Sequence, residues 1–255
     1  MPNNVTNEIK FYGQPEDIKV VRSLIKGSKD DLQMIDFNRL IPMPESLNIE
    51  AGSTTRDAIS LYLTMSNPDM PYHDRKTIDC KRLKAILARL DDGVAFTTTC
   101  SATLSEDEIK QISTYQSVDD LMKLGETAVD NLMKYGAVSW YDWRWAHWGT
   151  KWNAYEQVDS DGDTIQFDTA WSMPEPILRK LAKICNEHDV QFNGQWINED
   201  WRNDSGAFVM SDGSLMVYRD MTEEDARERC KDLLNWDPVE DEDDSEEDNE
   251  DEKSE

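Results

Sequence analysis

In the stretch NVTNEIKFYG, apolar Val5, Ile9 and Phe11 stand among polar neighbours, and Ile9 and Phe11 fall on one face of a strand. Gly13 and Pro15 interrupt it. Ile18, Val21 and Ile25 then recur at helical spacing, with Leu24 beside them and Gly27 placed to end the helix. DLQMIDFNRLIPMP reads as a mixed apolar strand closed by Pro42 and Pro44. Residues 1–45 therefore read as a β-α-β unit.

The period changes between 46 and 135. TTRDAISLYLTM, IDCKRLKAILARL and SEDEIKQI all carry helical spacing, and Ser105 with Glu108 fits a capping box. VDDLMKLGETAVDNLMKY is the longest helix, placing Val118, Leu121, Met122, Val129, Leu132 and Met133 on one side. NPDMPYH is a turn-rich loop. The whole stretch reads as a helical insertion.

Strand signals return after 160. In DTIQFDTAW, Ile165, Phe167 and Thr169 alternate with Gln166 and Asp168. Pro174 and Pro176 open a helix whose apolar face is Ile177, Leu178, Leu181, Ile184 and Cys185. VQFNGQWINEDW and GAFVMSDGSLMVYRD read as strands, the second folded at Asp212-Gly213, a strong hairpin signal. TEEDARERCKDLL is a last helix with Thr222 as its N-cap. Residues 136–236 thus form a tryptophan-rich segment and a second half-domain. The two halves around an insertion predict a ferredoxin-like α+β sandwich, a name that implies no iron–sulfur cluster.

Charge adds a further element. The chain carries 53 acidic and 27 basic residues, a net of −26. Residues 237–255, DPVEDEDDSEEDNEDEKSE, hold thirteen acidic residues and one lysine, a net of −12, which leaves −14 on 1–236. With almost nothing apolar to bury, this tail is expected to be disordered. A charge of this sign repels nucleic acid and anionic lipid and suits a basic partner. No apolar run approaches membrane-span length, and the N-terminus lacks a signal-peptide layout, so the expected location is cytoplasmic. Cys80, Cys100, Cys185 and Cys230 are scattered, without CxxC or zinc-ligand spacing, and read as reduced structural thiols.

Three motifs bear a resemblance. NRLIPMPE at 38–45, WGTKWNAY at 148–155 and FDTAWSMPEPILRKLA at 167–182 resemble, in the same order, the YubB-type ferredoxin-like domain family of phages, plasmids and genomic islands. The resemblance covers roughly 1–45 and 125–215 and leaves out the acidic tail. It implies the fold and a mobile-element origin, and it carries over no catalytic residues.

The residues themselves offer little chemistry. Asp159, Asp161 and Asp163 alternate as cation ligands do, but an EF-hand loop from Asp159 would need glycine and glutamate where Thr164 and Ala170 stand, so no metal is expected. His73, His147 and His188 are isolated. A general base could arise only if folding joined His147 to Asp142, or a carboxylate pair if Glu199 and Asp200 met Asp168 or Asp142. There is no GxGxxG and no P-loop, so no cofactor is expected. The segment 140–155, WYDWRWAHWGTKWNAY, holds five of the nine tryptophans. It reads first as core, pinning the insertion to the sheet, with Gly149 breaking the helix and Arg144 and Lys151 over indole faces. Its second reading is a protein-binding hot spot, for which the candidate contact residues are Trp143, Trp145, Trp148, Asp159, Asp161, Glu199 and Asp200. The functional expectation is a non-enzymatic mobile-element protein that binds a basic host protein, such as a nucleic-acid-binding defence component. The alternatives are a metal-dependent or small-molecule enzyme, and a structural protein forming homo-oligomers.

Overall fold

The computed structural model describes residues 3–27, 33–67, 84–86, 88, 103–114, 116–220 and 222–238. The loop carrying His73, the cysteines Cys80 and Cys100, most of the helix expected over 78–90 and the tail beyond 238 lie outside them. Contacts divide the chain into two compact units, Met1–Pro42 with His147–Glu255, and Met43–Ala146.

The first unit is built on one antiparallel sheet. Its strands are β1 (Asn4–Tyr12), β2 (Tyr155–Ser160), β3 (Thr164–Ala170), β4 (Gln191–Asn198), β5 (Ser205–Ser211) and β6 (Ser214–Arg219), in the spatial order β2-β3-β1-β4-β5-β6. Helix α1 (Pro15–Ile25) follows β1, and a second helix (Glu175–Glu187, α7 below) joins β3 to β4. The first four strands with these two helices give the β-α-β-β-α-β order and arrangement of a ferredoxin-like domain, which β5 and β6 extend by a hairpin.

Alternation fixes which side of the sheet is buried. Val5, Asn7, Ile9 and Phe11 of β1 face the core, as do Ile165, Phe167 and Thr169 of β3. Phe192 and Trp196 continue this face on β4, and Phe208 on β5. Their rings meet in series: Phe11 edge-on to Phe192, Phe192 edge-on to Phe208, and Phe208 stacked on Trp196. A side chain at Gly194 would collide with the Phe208 ring and the Glu8 carbonyl, so β4 needs glycine there. The alternate residue Ile197 looks to the opposite face, where it packs with Trp201, Ala226, Cys230 and Leu233 of the C-terminal helical segment.

One expected strand is absent. Residues 33–44 form no strand; they contain the short helix α2 (Phe37–Leu40), N-capped by Asp36. Their backbone is satisfied by side chains from far along the chain: Gln157 Oε1 accepts from the Met34 and Ile35 amides, and Asn153 Oδ1 from that of Phe37. The second strand of the ferredoxin-like unit is instead β2, after the helical unit.

In the second unit α3 (Ser53–Ser66), α4 (Glu106–Ile112) and α5 (Val118–Tyr135) follow the helical spacing of the sequence. The Ser105–Glu108 capping box is formed in both directions. The core joins Ile59, Tyr62 and Leu63 of α3 to Ala128, Val129 and Leu132 of α5. The helices approach so closely at Gly125 that a Cβ there would lie 2.2 Å from the Ala58 carbonyl oxygen. Helix α6 (Trp140–Trp148) carries the chain from the second unit back into the first and ends at Gly149, whose φ of 75° suits glycine. The helix after β3 is α7 (Glu175–Glu187), and the last is α8 (Glu223–Arg229), capped by Thr222 and continued by a π-helical turn over Cys230–Leu234.

Candidate functional site

Part of the tryptophan segment is core. Trp148 is completely buried; its indole donates to the Ile41 carbonyl at 2.9 Å and its ring meets Phe37 edge-on. It offers nothing to a partner, which corrects its place among the contact residues. Trp143 is also buried, while Trp145 is half-buried. Arg144 lies 4.9 Å from the Trp140 ring and Lys151 5.2 Å from that of Trp152, the cation–π pairs their spacing suggested.

The acidic contact residues separate into two places on the sheet. Asp159 and Asp161 belong to the β2–β3 hairpin, where the Phe11 amide bonds the Asp163 carbonyl. Glu199 and Asp200 follow β4, where the Glu199 amide bonds the Asn4 carbonyl. Asn4 and Phe11 lie near opposite ends of β1, roughly 23 Å apart at the rise of an extended strand.

At the hairpin end, Arg22 of α1 grips Asp159 in a two-pronged ion pair with N–O distances of 2.6 and 3.1 Å and also donates to the Gly162 carbonyl. Asp159 is thereby neutralised within the fold. Asp161 and Gly162 take positive φ in a tight turn. Beside them lies a groove of about 880 Å³ with Phe11, Ile18 and Met34 in its lining, Lys19, Arg22 and Lys26 on one wall and Asp159, Asp161 and Asp163 on the other. Its charges are balanced, and a fixed ion pair spans it.

The other end is different. Tyr155 pairs with Asp168 across β2 and β3, and the Tyr155 hydroxyl donates to Asn4 Oδ1 at 2.7 Å. Glu199 accepts the Asn4 amide at 2.9 Å, and the Thr6 hydroxyl donates to Asp168 at 2.8 Å. Burial, chiefly, pushes the Asp168 carboxyl above its usual range; the Thr6 hydrogen bond opposes this, and the nearby charges of Glu156 and Glu199 add to it. Burial and then Asp168, Glu199 and Glu156 push the Tyr155 hydroxyl up to about 12. No basic group contributes to either shift. Glu156 and Glu199 therefore lie near enough to Asp168 and Tyr155 for their charges to act on both, second to burial.

A tryptophan stands at the same end of the sheet. Trp171 directly follows β3, has a φ of 78° and is 47% exposed. So bulky a residue enters the left-handed region only under constraint. Here the Trp171 amide bonds the Asn3 carbonyl, and the hydroxyls of Thr150, Thr169 and Ser172 bond the carbonyls of Ala170, Ser172 and Gly149. These bonds hold the turn and present the indole to solvent.

The alternative chemistry gains no geometry. His147 and Asp142 are five residues apart on α6, not the three or four that bring helical side chains together. His188 caps the end of α7. Cys185 and Cys230 are free and buried, and burial raises their thiols to about 12 and about 11, which suits packing rather than nucleophilic work. Among the described residues no three His, Cys, Asp or Glu side chains converge as a metal site would require. No described helix is long and apolar enough to cross a membrane. The joining of Glu199 with Asp168 was among the pairings open in the sequence. Nothing local in the sequence marks Trp171 and Glu156 as contact residues; the one signal for Trp171 is its place in the FDTAWSMPEP motif.

Residues 147–254 match a family model described as the ferredoxin-like domain in Api92-like protein. Among solved structures, the chain is similar to the crystal structure of a protein api92 from Yersinia pseudotuberculosis, at 11% identity and a TM-score of 0.35, over 86% of this chain and 98% of that one. No curated protein matches the chain.

Proposed function

We propose that this chain is a non-enzymatic binding protein whose partner is a basic protein, engaged at the Trp171 end of the sheet. The observation that carries the reading is that Glu156, Asp168 and Glu199 lie at the end of the sheet that also holds the Trp171 indole exposed. Lysine or arginine side chains entering there would meet carboxylates of one sign, and an exposed indole face adds cation–π attraction. Tryptophan and charge-complementary neighbours are the usual anchors of protein interfaces. The net charge of −26 adds long-range steering toward a positive surface and keeps nucleic acid away. The resemblance to the YubB-type family supports a phage or other mobile-element origin. Basic partners in that setting include nucleic-acid-binding defence proteins of the host, whose working surface such an acidic protein would occupy.

The test is capture from nuclease-treated host lysate, with the full chain and with a Glu156→Gln, Glu199→Gln variant as baits. The reading expects a basic protein retained by the first and lost by the second. Recovery that vanishes with nuclease, or that is the same for both baits, contradicts it.

A further inference from the structure

We infer that β6 is a self-complementary edge through which two copies of this chain pair, independently of the basic-partner reading. The two ends of the sheet are built differently. The β2 edge is blunted: its register slips between Tyr155 and Val158, Glu156 has a φ of 45°, and Glu156 is exposed on it as a charge. The β6 edge, SLMVYR, is regular along its whole pairing with β5 and contains no proline and no acidic residue. In a chain of net charge −26, copies repel one another, and an acid-free strand is where they approach at least cost.

The ladder shows which backbone groups are free. Asp220 N–H bonds Ser205 O, and Ser211 pairs with Ser214 around the two-residue turn Asp212-Gly213, so Ser214, Met216 and Tyr218 turn their N–H and C=O groups toward β5. Leu215, Val217 and Arg219 turn theirs outward. Of these, the Leu215 carbonyl accepts from Arg179 at 3.3 Å and has a second lone pair to give. A twofold axis at Val217 sets Val217 against itself and Leu215 against Arg219, for roughly six new hydrogen bonds. The same register places Met216 of each copy against Tyr218 of the other. These side chains are 42% and 54% exposed and lie on one face with Val209. The Tyr218 hydroxyl already contacts the Met216 sulfur within one chain, so the seam repeats a pair the fold itself makes. A contact confined to one strand and its flanking side chains falls below about 1,200 Å², the size of weak, reversible interfaces.

The experiment is sedimentation or light scattering of the full chain from about 1 µM to about 1 mM, at low and at high salt. The expected result is a monomer that dimerises with concentration, more readily at high salt because screening removes like-charge repulsion. Val217→Pro removes an outward N–H and spares the β5 ladder, so it should stay monomeric with unchanged circular dichroism and melting. If that variant misfolds, Met216→Lys with Tyr218→Lys tests the same seam from its exposed face and should also stay monomeric. A monomer at every concentration overturns the proposal, as does a dimer that survives these substitutions. Loss of basic-protein capture without loss of the dimer would strike only the earlier reading.

Discussion

Trp148 and Trp171 show how differently one residue type serves within a single unit. Trp148 fills the core and spends its indole N–H on Ile41. Trp148→Ala should cost about 3–5 kcal/mol, read as a fall in the urea midpoint without a change in slope. Trp171 is exposed and strained. Trp171→Gly should leave the melting temperature unchanged or raise it, since it relieves strain of about 1 kcal/mol, while weakening capture of the basic partner. Asp168 gives a pH signature. Its folded pKa lies above the ordinary value, so its contribution to stability is fully present below the unfolded carboxyl range and is lost as pH rises through the raised value. Asp168→Asn should therefore melt higher than the parent at neutral pH, with the difference closing below about pH 4. A thermal melt series against pH reads it directly. Partner binding should weaken over the same acid window, because protonation removes the charge the partner answers.

Elements were legible wherever local pattern decides the structure. VDDLMKLGETAVDNLMKY folds as α5 over the whole quoted stretch, and Asp212-Gly213 turns the hairpin it signals. Legibility failed where distant side chains decide. Residues 33–44 carry strand-like apolar density, yet their amides are held by Asn153 and Gln157, which follow the helical unit in sequence. Conversely β2 is an edge strand with Val158 exposed, and its buried alternation is too shallow to read locally. The site suffered likewise: a cluster spread over β2, β3 and the end of β4 has no local motif, and the φ of Trp171 leaves no trace in composition. Within the second unit Gly125 is the clearest single test of packing. Alanine raises helix propensity by about 1 kcal/mol, but its methyl would meet the Ala58 carbonyl. Gly125→Ala should therefore destabilise, by about 1–3 kcal/mol, as measured by chemical unfolding.

For the whole molecule, charge is the property that the fold and the sequence share. The tail from 237 carries −12, the rest −14, and on the described body the basic residues Arg22, Arg179 and Arg219 are each engaged by a carboxylate. No basic group is among those that shift Asp168. Charge reaches about 30 Å at 0.01 M salt and about 10 Å at 0.1 M, so association with a basic protein should depend on salt over that range. The decisive measurement is the association rate with the captured partner across that range. It compares the full chain with Glu156→Gln, Glu199→Gln and with residues 1–236. Rates should fall steeply with salt for the full chain and less steeply for the truncated one, and the complex should dissociate faster in the neutralised variant. Rates indifferent to salt, with dissociation unchanged by the two substitutions, would contradict the basic-partner reading.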